Sequence, residues 1–168
     1  ESGVDGVVLS PPLCDSPKML ELIQNTDVTC VVVANWCPPG KMSVVYIDDV
    51  EAAATMTRHI LSLGHKRIAF VKGNPEQKAS HQRLKGFEMA MAEAGMPINP
   101  ELVVDGLFTY RSGLDAADKL LDLEHPPTAI FASNDDMAAA AITVAHRRHL
   151  DVPKDVTICG YDDTDFAL

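Results

Sequence analysis

The stretch TAIFASNDDMAAAAITVAHRRH, residues 128–149, decides the fold of this chain. Its first five residues are almost all apolar, which is typical of a parallel strand that is buried on both faces. The polar corner from Ser133 to Asp135 then breaks the run, and Asn134 is a residue type preferred at helix N-termini. A helical pattern follows over 135–149, and a second apolar run at 156–159 completes a strand–helix–strand unit.

The same alternation extends outward through most of the chain. Strands are predicted at residues 4–9, 29–34, 44–47, 67–72, 102–104, 128–132 and 156–159. Helices are predicted from Ser16-Pro17 onward and at 48–63, 80–95, 111–123 and 135–149. Nearly all-apolar strands that alternate with helices predict an α/β fold, with parallel sheets covered on both faces. Residues 41–49 are the best candidate for a crossing between two subdomains, because a strand there follows a loop without an intervening helix.

Composition and charge exclude several classes of function. The 168 residues can hold one sizeable core or two small ones, and an aromatic content of 5% makes that core mainly aliphatic. The net charge of −10 is spread as −3 before residue 47 and −7 after it, so neither part attracts nucleic acid. Apolar runs are too short to cross a membrane.

The two termini and the cysteines predict how the chain was truncated and which cellular compartment it occupies. The chain begins at Glu1 without Met or a signal peptide and stops soon after a strand-like run, so we expect it to be truncated at both ends. Four scattered cysteines without a C-x-x-C pair predict a reducing, cytoplasmic compartment, although one disulfide stays open.

Signatures of catalysis and of cofactor binding fail on inspection. The sequence has no G-x-G-x-x-G and no G-x-S-x-G motif, so we predict neither a cofactor nor an enzyme. His146 and His149 have a spacing that suits a metal, but solvated helix-end histidines explain them better. Asp135 and Asp136 fit a helix's first turn, where the dipole favours carboxylates, so we predict no metal site.

Polar and aromatic residues remain at the ends of the predicted strands, where ligands bind in open parallel sheets. These candidate ligand-binding residues are Ser10, Asn35, Arg83, Phe108, Asn134 and Asp162. Amides, carboxylates, a guanidinium and an aromatic face suit a polyhydroxylated ligand.

Each of the four later candidates also has a plainer interpretation. Asn134 can cap its helix, and Arg83 can form a surface ion pair. Asp162 can be a turn residue, and Phe108 can belong to the core.

Several motifs, taken in order, resemble a known family. They are V-D-G-V-V at 4–8, L-G-H-K-R-I-A-F at 63–70, S-x-x-R-L-x-G-F at 80–87, A-S-N-D-x-M-A at 132–138 and G-Y-D-D at 160–163. Together they are similar to the effector-binding core of LacI/GalR-type bacterial transcription regulators, across essentially the whole chain.

The resemblance implies a periplasmic-binding-protein-like type I fold with two Rossmann-like subdomains and the effector between them. Residues 1–46 would be part of the N-terminal subdomain and 47–168 most of the C-terminal one. Arg83 and Asp162 would clamp hydroxyls of a sugar or nucleoside-like effector, with Asn134 beside them and Phe108 stacked on the ligand. Ser10 and Asn35 match pocket positions more loosely.

The family's helix-turn-helix and hinge helix are absent from this chain, as are the opening βαβα and the closing strand and helix. Operator DNA would bind through that missing N-terminal domain and not through this segment. The full-length protein would be a homodimer without membrane contact. Ala52 stands where the family often has Gly.

Two other functions stay open. A periplasmic sugar-binding protein of a transporter shares this architecture but would carry an export signal. A sugar isomerase or hydrolase would need a metal or nucleophile motif that the sequence does not contain.

Overall fold

The computed structural model describes residues 3–34, 40 and 42–167. The strands are β1 (Gly6–Leu9), β2 (Thr29–Val33), β3 (Ser43–Val45), β4 (Ile68–Val71), β5 (Val103–Val104), β6 (Ala129–Ala132) and β7 (Thr157–Cys159). The helices are α1 (Pro17–Gln24), α2 (Asp49–Ser62), α3 (Lys78–Glu93), α4 (Tyr110–Leu121) and α5 (Asp135–Arg147). Each corresponds to a predicted element, with bounds that differ by no more than about two residues. For example, β1 begins at Gly6 and not at residue 4, β3 ends at Val45 and not at residue 47, and Leu102 ends a 3-10 turn instead of opening a strand.

The chain divides into two compact units. The first contains Glu1–Asp48 with Glu76–Ala79, and the second contains Asp49–Pro75 with Ser80–Leu168. The assignment of residues 1–46 and 47–168 to two subdomains of a larger domain stays a prediction.

The first unit has a parallel sheet in the order β1-β2-β3. The Ser16 hydroxyl caps α1 by accepting the Met19 N–H at 3.4 Å, as the Ser-Pro pair predicts. Helix α1 places Leu20 in a small core against one face of the sheet, together with Leu9 and Val32.

The second unit has a four-stranded parallel sheet in the order β5-β4-β6-β7. The chain runs from β4 outward to β5, then returns past β4 to β6 and continues to β7. Strand order therefore reverses between β4 and β6, and the loops after these two strands leave in opposite directions. Such a reversal opens a crevice at the carboxyl ends of the strands, which is where α/β sheets bind ligands.

Both faces of this four-stranded sheet are buried, as predicted. All four residues of β4 and all four of β6 are buried, and successive side chains point to opposite faces. One face carries an aromatic cluster, in which the Phe70 ring lies 5.0 Å from that of Phe87 and 5.2 Å from that of Phe131. This cluster packs under α2 and α3.

The other face packs under α4 and α5, which meet along a seam of small residues. These seam residues are Gly113, Ala116, Ala117, Ala140 and Ala141. A Cβ atom added at Gly113 would lie 2.6 Å from the Met137 Cα atom, so the seam has no room for a larger side chain at this point.

Two glycines end helices, as predicted. Gly64 and Gly95 end their helices with φ of 93° and 64°, in the left-handed region that favours glycine.

Cys14, Cys30 and Cys159 are thiols and form no disulfide, and burial raises the pKa of Cys159 to about 12. No helix in the described segments has the length and apolarity that a bilayer crossing requires.

Gly86 lets α3 approach α2 closely. A Cβ atom added there would overlap the Val50 carbonyl oxygen and lie 2.9 Å from the Ala53 Cβ atom. The three nearest atoms that this Cβ would meet all belong to α2, and they are backbone atoms or the Cβ of an alanine, so no flexible side chain can move away.

We therefore expect Gly86→Ala to lower the free energy of unfolding by about 1–3 kcal/mol, because overpacking outweighs the gain in helix propensity. Denaturant titration measures this change, with Glu88→Ala on the exposed side of α3 as the control. A variant more stable than the parent would show that α2 and α3 are not tightly packed at this position.

Candidate functional site

Arg83 lies in the second turn of α3 and is the centre of a polar cluster in the second unit. Its Nε atom donates to Asp49 Oδ1 at 2.8 Å, from the first turn of α2. Its Nη1 atom donates to the Ser133 carbonyl oxygen at 2.5 Å, directly after β6. Arg83 and Asp49 are both buried, so the ion pair is held in a low-dielectric setting and is not a surface contact.

Aromatic rings enclose the guanidinium. Its Cζ atom lies 3.6 Å from the centroid of the Tyr161 ring and 5.7 Å from that of Phe108. The first distance is typical of a cation–π contact, which stabilises a planar guanidinium in a fixed orientation. Burial raises the pKa of the Tyr161 hydroxyl, and the Asp49 carboxylate adds to this shift, so the ring stays neutral at physiological pH.

Asp162 closes the cluster on its more exposed side. Its Oδ1 atom accepts from Arg83 Nη1 at 3.3 Å, and its side chain remains 39% exposed. Burial raises the pKa of the Asp162 carboxyl, Arg83 opposes this shift, and Asp135 adds to it. The carboxylate is thus bonded at one oxygen and still open to a further partner.

Asp135 fixes the loop that carries Asp162. Its Oδ2 atom accepts from the Thr164 N–H at 2.8 Å and from the Thr164 hydroxyl at 3.0 Å. Gly160 allows the approach, because a Cβ atom there would collide with the Asp135 carboxylate. Asp162 and Asp163 have φ of 107° and 59°, so two successive residues adopt left-handed backbone.

Asn134 has two structural bonds. Its Oδ1 atom accepts from the Met137 N–H at 3.0 Å and caps α5, and its Nδ2 atom donates to the Phe108 carbonyl oxygen at 3.1 Å. An amide can form four hydrogen bonds, so each end of the side chain keeps capacity for one more. The plainer interpretation as a helix cap is therefore correct, and it leaves room for a ligand contact.

Phe108 is half-buried and sits over Gly73 in the loop after β4. A Cβ atom at Gly73 would overlap the outer edge of the Phe108 ring, nearest its Cζ atom, so glycine is required for this contact. Phe108 itself has φ of 59°. Its ring packs against the core of the sheet and also faces the guanidinium, which combines both interpretations made from the sequence.

The structure brings four of the six predicted residues together. Arg83, Phe108, Asn134 and Asp162 form one connected group at the carboxyl end of the four-stranded sheet. Ser10 belongs to the first unit, where it is exposed after β1 and its carbonyl accepts the Cys14 N–H at 3.1 Å. Asn35 lies outside the described residues.

Sequence reasoning missed Asp49 as a member of the cluster, and it did not select Tyr161 or Asp135 as candidates although both lie at strand ends. Asp49 and Asp135 each open a helix, and this local explanation hid their tertiary bonds. Tyr161 directly precedes Asp162, and its position after a strand was the available signal.

Taken together, the cluster offers hydrogen-bond donors and acceptors beside an aromatic face. In the described segments no group of three or more His, Cys, Asp or Glu side chains is arranged to hold a metal ion. The geometry is suited to binding hydroxyl groups through paired hydrogen bonds.

Comparison with known proteins identifies relatives. A family model described as a periplasmic binding protein-like domain matches residues 57–167. The chain is 40% identical over 166 residues to the HTH-type transcriptional regulator DegA of Bacillus subtilis (strain 168), covering 98% of this chain and 49% of that protein. It is 38% identical over 165 residues to the HTH-type transcriptional repressor CytR of Escherichia coli (strain K12), covering 98% and 48%. The chain thus spans about half the length of the curated relatives it matches.

A solved structure of a transcriptional regulator also resembles this chain. The transcriptional regulator CelR–cellobiose complex superposes with a TM-score of 0.84 at 36% identity, over 98% of this chain and 50% of that chain. The chain therefore belongs to the periplasmic binding protein-like domain family, as part of an effector-binding domain of the LacI/GalR type.

Proposed function

We propose that this chain senses a small polyhydroxylated effector, a sugar or nucleoside-like molecule, for a LacI-type transcription regulator. The observation that carries the proposal is the contact between Arg83 and Asp162 at the crevice where strand order reverses. The two residues are 79 positions apart in sequence, and each is held by its own neighbours.

Hydroxyl groups suit this site because they donate and accept at the same time. Arg83 supplies N–H donors, Asp162 supplies a carboxylate acceptor, and the Asn134 amide supplies both. The Phe108 ring offers an apolar face on which a sugar or base ring stacks. Ser10 and Asn35 stay in the proposal as further ligand contacts, on the strength of the family resemblance alone.

The regulatory part of the proposal concerns the intact protein. Operator DNA would be bound by a segment outside this chain, since the chain's net charge of −10 repels a phosphate backbone. The intact protein would be a cytoplasmic homodimer in which the effector favours one conformation and so changes DNA affinity. Relatives that are transcriptional regulators favour this function over a transporter's binding protein or an enzyme.

A thermal-shift screen of the intact protein against monosaccharides, disaccharides and nucleosides tests the proposal. A ligand that raises the melting temperature should also change affinity for the protein's own upstream DNA in a gel-shift or anisotropy assay. Chemical turnover of the ligand, or stabilisation without any effect on DNA binding, would contradict the proposal.

Asp162→Asn should weaken effector binding by about 1–3 kcal/mol in calorimetry, because a charged acceptor becomes a neutral amide. Asparagine is the appropriate replacement, since it tolerates the left-handed backbone that Asp162 adopts.

Asp163→Asn is the matched control. Asp163 is exposed and also left-handed, so the same change there tests backbone and net-charge effects alone. Equal losses in the two variants would remove Asp162 from the site.

Asn134→Ser should separate helix capping from ligand binding. Serine caps helices about as well as asparagine, but it lacks the amide donor. We expect the cap to persist, the lost bond to the Phe108 carbonyl oxygen to lower the free energy of unfolding by about 1 kcal/mol, and effector affinity to fall about tenfold. A large drop in melting temperature with unchanged affinity would leave Asn134 with a purely structural role.

A further inference from the structure

Arg83 presents fewer donors to a ligand than a bare guanidinium does. A guanidinium has two edges for bidentate bonds, one formed by Nε and Nη2 and the other by Nη1 and Nη2. Asp49 occupies Nε, while the Ser133 carbonyl and Asp162 occupy Nη1. Within the described part of the chain, no residue accepts a hydrogen bond from Nη2. Each edge therefore has one nitrogen that is already hydrogen-bonded within the protein. Neither edge can form a bidentate pair of hydrogen bonds with an anion.

The charges around this guanidinium are negative in sum. Asp49 and Asp162 both bond to Arg83, and Asp135 lies close enough to Asp162 to disfavour its ionised form. Lys72, which follows β4, is paired with Asp105 at 2.6 Å. One guanidinium therefore bonds to two carboxylates, and a third carboxylate, Asp135, lies near the second of them.

We infer that this site accepts uncharged polyhydroxylated ligands and rejects phosphorylated or carboxylated ones, with Asp49 as the residue that sets the preference. The inference rests on the proposed function and narrows its ligand class. Asp49 acts here as a positioning residue, because its bond to Nε orients Arg83 and neutralises it before any ligand arrives.

A hydroxyl group fits what remains of the donor set. It can accept one N–H from Nη2 and donate its own proton to Asp162, which satisfies both groups with a single ligand atom. An ionised phosphate or carboxylate oxygen has no proton to donate and meets like charge on Asp162 and Asp49.

The test uses the intact protein and matched probes that differ by one phosphate group. The pairs are D-ribose with D-ribose 5-phosphate, D-glucose with D-glucose 6-phosphate, trehalose with trehalose 6-phosphate, and adenosine with adenosine 5′-monophosphate. Thermal shift selects the pairs that bind, and calorimetry measures both members. We expect the uncharged member to bind about 100-fold more tightly or better, since like charges are strongly unfavourable at an interface.

Asp49→Asn should reduce this preference about tenfold, because it removes one negative charge and keeps an oxygen for Nε. Asp115→Asn is the control, an exposed carboxylate on α4 that pairs with Arg111, and it should leave the preference unchanged. Thermal unfolding without ligand checks that each variant is folded. If Asp49→Asn does not fold, Asp162→Asn serves as the test instead. Removing the Asp162 charge must also reduce the ratio of affinities for the uncharged and the phosphorylated member of a pair.

The outcomes separate this inference from the proposed function. Tighter binding of a phosphorylated member to the parent protein would overturn the inference and leave effector sensing intact. If Asp49→Asn is folded and the ratio of affinities for the two members of a pair is unchanged, Asp49 does not set the preference for uncharged ligands. Failure of every probe, charged or uncharged, would contradict the proposed function and with it this inference.

Discussion

A guanidinium buried in a protein must have its charge and its N–H groups satisfied, and the second unit is organised around meeting that requirement at Arg83. Asp49 supplies the countercharge from α2, the Ser133 carbonyl supplies an acceptor after β6, and Tyr161 covers the face of the group. Three separate stretches of chain are thereby joined at one residue. Removing one member of such a buried pair leaves an uncompensated charge, which is among the more destabilising changes a core can undergo.

The fold was accessible from sequence because its strongest signals are local. An unbroken apolar run of four or five residues, bounded by a polar corner, is what a strand with two buried faces requires, and both β4 and β6 have it. Gly64 and Gly95 marked helix ends because few other residues adopt positive φ. Strand order within the sheet was not accessible, since β5 and β6 flank β4 through tertiary packing that no short window contains.

The candidate site was only partly accessible for the same reason. Position after a strand was enough to select Asn134 and Asp162. Asp49 was missed because a carboxylate at a helix start already has a local explanation, and only the packing of α3 on α2 brings it to Arg83. The double use of Asn134, as a cap and as a donor to the Phe108 carbonyl, likewise depends on a backbone conformation that sequence patterns do not reveal.

The two faces of the four-stranded sheet differ in how they will accumulate change during evolutionary drift. The small-residue seam between α4 and α5 has almost no side-chain volume to lose, so a random substitution there can only add bulk and force the helices apart. The aromatic cluster on the opposite face is filled by the largest apolar rings, so a random substitution there mostly subtracts volume and leaves a cavity. Second-site mutations that restore stability should therefore differ between the two faces. At the α4–α5 seam they should replace a neighbouring side chain with a smaller one, and at the aromatic cluster with a larger one.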